Sequence, residues 1–115
     1  MSKVSFEGIG EVTVTFACEP DTTAGQVVKL TGPGRVGPCD PEDRPAGVAL
    51  SVKDGFAAVQ LRGFTSVHVS GGTLTEGWAC LSADGEGGLK TAGSDASGNE
   101  YLVVEAGSDT ATILL

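Results

Sequence analysis

Short alternating runs of apolar and polar residues dominate this chain. Val12, Val14 and Phe16 alternate with Thr13 and Thr15, the period-2 pattern of a strand with one buried face. Pro20-Asp21 ends it. Residues 25–30 (GQVVKL) predict a second strand, which Gly32-Pro33-Gly34 breaks. Asp40-Pro41-Glu42-Asp43 allows at most one short helical turn near 40–44, with Asp40 as its cap and Pro41 in first position. Pro45 stops that turn at once. Residues 46–52 (AGVALSV) read as a buried strand. Asp54-Gly55 is a strong hairpin signal and leads into residues 56–63 (FAAVQLRG). Residues 64–69 continue with Val67 and Val69 on one face and His68 on the other. Turns are expected at Gly71-Gly72, at residues 84–88 (DGEGG) and at Gly107-Ser108-Asp109, and a polar loop at 93–99. Residues 78–81, 89–92, 101–104 and 110–115 read as the strands between them.

No window holds ten residues of helical periodicity. About eight short strands with glycine-rich turns predict an all-β fold, a small antiparallel β-barrel or sandwich. The letters show no repeat at a fixed period. With 115 residues, the chain is expected to bury about 65% of its unfolded surface in one core, so residues 11–115 are expected to form a single β domain.

Charge narrows the function classes. Seven Lys and Arg against 15 Asp and Glu give a formal charge of −8. Nucleic acid and anionic membrane surfaces are therefore not expected partners, since both need a basic face. Residues 1–20 contain Lys3, Glu7 and Glu11 and no continuous apolar run, so no secretion signal is read there and synthesis in the cytoplasm is expected. Three cysteines without a CxxC pair exclude a full disulfide framework; one bridge plus a free thiol is allowed, and free buried thiols are the simpler expectation.

The chemical motifs are weak. Gly32-Pro33-Gly34-Arg35-Val36-Gly37 matches GxGxxG, but Pro38 and Pro41 cannot build the helix a nucleotide loop requires. Cys18, Cys39, Cys80 and the sole histidine, His68, lack the close ligand pairs of a zinc site. His68 has no sequence neighbour as catalytic partner. No GxSxG elbow occurs, and Asp84-Gly85-Glu86 lacks calcium-loop spacing. No catalytic residue, metal or cofactor is expected. Phe64 and Trp78 stand beside turns, where they either close the core or anchor a protein interface.

From Ala46 onward the order of features resembles the small head decoration, or cement, proteins of tailed bacteriophages, such as the lambda-type head stabiliser. The residues concerned are the Ala46-Gly47-Val48-Ala49-Leu50 strand, the alternating Ala58-Val59-Gln60-Leu61-Arg62-Gly63-Phe64 strand and the Gly77-Trp78 step. The Ala83-Asp84-Gly85 turn with Gly88-Leu89 and the closing Thr112-Ile113-Leu114-Leu115 complete it. The resemblance covers residues 25–115. It implies a non-enzymatic virion protein, a homotrimer on the capsid surface that binds the major capsid protein and stabilises the shell. It also implies a flexible N-terminal arm over residues 1–10, in which Met1, Ser2, Lys3, Val4, Ser5 and Phe6 would contact the capsid. Arg62, Phe64 and Trp78 are the expected self-association residues. The strand pattern at Val12–Phe16 departs from that family's looser arm, so pairing of an N-terminal strand with a capsid strand is the alternative mode. Competing readings are another virion part (tail, head-completion or fibre-base domain) and a host β-sandwich binding module.

Overall fold

The structure, a computed structural model, describes residues 10–70, 74–92 and 98–115. The expected arm at 1–10 lies outside the described residues up to position 9, as do Gly71-Gly72 and most of the loop at 93–99. Ten strands form among the described residues: β1 Val12–Cys18, β2 Val27–Gly32, β3 Arg35–Pro38, β4 Gly47–Lys53 and β5 Phe56–Arg62, then β6 Phe64–Ser70, β7 Gly77–Ala83, β8 Leu89–Thr91, β9 Asn99–Ala106 and β10 Thr110–Leu114. The all-β expectation holds. The count rises from about eight to ten because the chain resumes pairing immediately after Gly32-Pro33-Gly34, as β3, and because Gly63 divides residues 56–69 into β5 and β6. Among the described residues, 40–43 form a turn closed by the Asp43 N–H on the Asp40 carbonyl (3.1 Å) and not a helical turn, with Glu42 at φ 72°.

The strands close into two five-stranded barrels of identical connectivity, β1-β3-β2-β4-β5 and β6-β8-β7-β9-β10. In each, the first strand pairs in parallel with the third and antiparallel with the fifth, and two hairpins and one longer connection supply the remaining pairs. The chain is thus an internal duplication, with an N-terminal unit (12–62) and a C-terminal unit (64–114). The side chains keep the same plan without the same letters. Ala57 and Val59 of β5 sit in the first core, and Ala111 and Ile113 of β10 in the second.

The Asp54-Gly55 hairpin forms as read, with both residues at positive φ (54° and 80°), the requirement of a tight primed turn. The reading of β1 needs correction. Val14 and Phe16 do lie opposite the core residues Val59 and Ala57, yet Val12 and Val14 are 47% and 39% exposed. The cause is β3, which pairs with β1 only at Ala17 and Cys18, so that the first half of β1 has no β3 partner among the described residues.

The two units are joined by more than the Gly63 link. Val27, Cys39 and Val48 of the N-terminal unit pack into the core of the C-terminal one, with Leu81, Ala83, Leu89, Tyr101 and Val103. Val27 N–H donates to the Gly87 carbonyl at 2.9 Å, and the 40–44 segment pairs with Ala83 both ways, Glu42 N to Ala83 O and Ala83 N to Asp43 O. Lys29 holds this segment in place through Asp40 (2.9 Å) and Asp43 (2.8 Å). The result is a flat body of 36 × 35 × 19 Å.

Candidate interaction surface

The second barrel carries an apolar row on its outer face. Cross-strand pairing runs Trp78 to Leu102, Leu102 to Leu114 and Leu114 to Phe64, across β7, β9, β10 and β6. Directly opposed residues on one face have Cβ atoms about 5 Å apart, so the four side chains form one stripe. The inward positions beside them, Ala79, Tyr101, Val103 and Ile113, line the core, which fixes the row as outward-facing. Trp78 is 69% exposed; Leu102, Leu114 and Phe64 are half-buried. An exposed Trp within an apolar stripe on a rigid sheet is the composition of a protein-binding hot spot.

Of the expected self-association residues, Phe64 and Trp78 therefore come together on one row. Arg62 does not join it. It ends β5 in the other unit, opposite Val12, and its guanidinium donates to the Leu61 carbonyl at 3.0 Å. Met1 to Phe6 lie outside the described residues. Leu102 and Leu114 were not singled out from the sequence. The available signal was the unbroken apolar run Tyr101-Leu102-Val103-Val104, which asks for cover on both faces of its strand.

The remaining chemical candidates resolve into structural roles. Asp84 Oδ1 accepts from the N–H groups of Glu86 (2.7 Å) and Gly88 (3.1 Å), and its Oδ2 accepts from the Ser70 hydroxyl, so turn chemistry occupies its carboxylate. His68 is exposed and stands opposite Thr110 on the outer face of β6. It lines a shallow depression of about 270 Å³ with Thr23, Gln26 and Glu86. Among the described residues, no three of His, Cys, Asp and Glu gather as a cation site, and no helix is long and apolar enough to cross a membrane.

All three cysteines are free; Cys18 and Cys39 are buried, but Cys80 is exposed, which corrects the expectation of buried thiols, because its position on β7 faces outward with Trp78. Burial, reinforced by the negative charges of Asp43 and Asp40, pushes the Cys39 thiol up to about 12, which removes thiolate character at neutral pH. In a native thiol titration near pH 8, Cys80 is expected to react promptly, with Cys18 and Cys39 reacting only on unfolding. Fast native modification of two or more thiols would contradict this burial.

No known family model matches the chain, and a search of curated proteins finds no match.

Proposed function

We propose that the chain is a structural protein of a tailed-phage head. In this reading it decorates the outside of the shell by self-association and by binding the major capsid protein, without catalysis. The observation that carries the reading is the Trp78, Leu102, Leu114 and Phe64 row, a binding face held on a closed sheet. A protein whose work is association needs such a face and needs no pocket of reactive groups. The charge of −8 suits a position outside the shell, away from the packaged polyanion, and a basic patch on the capsid exterior. Many copies on a symmetric shell multiply contacts that are individually weak. Residues Met1 to Phe6 are assigned the capsid contact, as the family resemblance implies.

The test uses expanded heads of the phage or prophage that carries the gene, prepared without this chain. Full-length protein is expected to bind them to saturation in a fixed ratio to the capsid subunit, measured on purified heads. A chain lacking residues 1–9 is expected to fold normally and lose this binding. Failure of the full-length protein to bind would overturn the proposal, and unchanged binding by the truncated chain would remove the arm from it.

A further inference from the structure

The first strand of the N-terminal unit carries an open backbone edge. Ala17 N–H donates to the Gly34 carbonyl (3.0 Å) and Glu19 N–H to the Val36 carbonyl (2.9 Å), whereas Cys18 N–H donates to the Gly55 carbonyl (3.0 Å). Odd positions therefore turn their N–H and C=O groups towards β3 and even positions towards β5, and the alternation continues along the strand. β3 reaches only Ala17 and Cys18. The peptide groups of Thr13 and Thr15 thus face a side on which no strand pairs with them among the described residues. Val12, Thr13, Val14 and Thr15 are exposed in succession, so solvent reaches both faces of the strand here.

Natural sheets blunt such edges with charged residues or proline. No charged residue, proline or glycine interrupts Val12-Thr13-Val14-Thr15-Phe16, which is four β-branched residues and an aromatic. The order is also self-complementary. Laid antiparallel on itself about Val14, the segment places Thr13 against Thr15, Val14 against Val14 and Val12 against Phe16. The two Thr13–Thr15 pairs exchange their backbone hydrogen bonds, and Val14–Val14 becomes the close pair without them, with Cα atoms about 4.5 Å apart. β-Branched and aromatic pairs of this kind stabilise adjacent strands. Arg35 lies beside Ala17 and stops an added strand at Phe16, which selects this register. The ends then match in charge. Glu11, exposed and just before Val12, arrives beside Arg35, whose side chain is 47% exposed and meets Glu19 only at 4.0 Å. Twofold symmetry makes that approach twice. On a chain of charge −8, this seam is neutral along its length and balanced at its ends.

We propose that β1 of one copy pairs antiparallel with β1 of a second copy, about a twofold axis at Val14. Each strand continues the barrel wall of the other, and Val12 and Val14 gain the cover that their own barrel does not give them. The contact is isologous. It lies on the N-terminal unit, apart from Phe64 and Trp78, and goes beyond the decoration reading. Capsid binding is judged by the head-binding experiment and stands or falls without it.

The test is disulfide capture on the full chain in a Cys80→Ser background, which removes the exposed native thiol. Val14→Cys brings one thiol from each copy within bridging range across the axis. Val12→Cys is the control for random collision, since Val12 is the more exposed of the two (47% against 39%) but faces Phe16 of the other copy and not its own counterpart. Under mild oxidation Val14→Cys is expected to form a covalent dimer at least tenfold faster than Val12→Cys. Adding Thr15→Pro to Val14→Cys removes an N–H that points away from its own barrel, a position where an edge strand tolerates proline. That variant is expected to keep the circular dichroism of its parent and to cross-link no faster than Val12→Cys. Equal rates for the two cysteine variants, or capture undiminished by the proline in a folded chain, would each overturn the proposal.

Discussion

Alanine at position 47 is expected to lower the stability of the chain by about 3 kcal/mol or more, read as a fall in Tm of roughly 10 °C. Gly47 opens β4 against β5. A Cβ added there would run into the Gln60 carbonyl oxygen and meet Val59 Cγ1 at 2.9 Å. The obstacle is backbone, so no side-chain rotation relieves it, and the strands must separate at the pairs Val27–Val48–Gln60 on which the second unit rests. Gly32→Ala is the control. Its Cβ meets open space at an ordinary φ, and it is expected to change stability by no more than about 0.5 kcal/mol. Equal Tm values for the two variants would refute this account of Gly47.

The second large effect is expected from Gln60→Leu, at about 2–4 kcal/mol. Gln60 is buried, and its Nε2 donates to the carbonyls of Arg62 (3.1 Å) and Phe64 (3.0 Å) on either side of Gly63. These two bonds hold the bend where one unit passes into the next, at a φ of +102°. Leucine keeps the volume and removes both N–H donors, so the carbonyls of Arg62 and Phe64 lose these bonds at a part-buried bend. Gln60→Glu gives a diagnostic pH dependence. A carboxyl facing carbonyls is stabilised only while protonated, so its folded pKa is raised. Its deficit against the wild type is expected to be smallest below about pH 4.3, the unfolded carboxyl value, and to grow as pH rises through the folded pKa. A deficit independent of pH would sink the hydrogen-bond account.

The strand pattern was legible because each strand is short, alternating and bounded by glycine, proline or aspartate. The Asp54-Gly55 turn and the outward His68 follow directly from local chemistry. The duplication was not legible. It is carried by pairing order, and equivalent core positions hold different residues, Val36 against Leu89 or Ala49 against Val103, so the letters do not repeat. The apolar row was half legible. Trp78 and Phe64 stand out as large residues beside turns, but their alignment with Leu102 and Leu114 depends on register across four strands. Val12 misled for the complementary reason, since alternation marks a face and says nothing about whether a neighbouring strand is long enough to cover it.

Two units of one connectivity in a single chain invite strand exchange during folding, each barrel accepting its counterpart's strand in place of its own. The different sizes of their core residues oppose this. Tyr101 belongs to the core of one barrel where Gly47 holds the matching register position in the other. A trespassing β9 would force a phenol ring into a place where even a methyl group meets the Gln60 backbone, and a trespassing β4 would leave a void where the ring packs. The divergence that hides the duplication from the reader of the sequence thus also acts as proofreading for the folding chain.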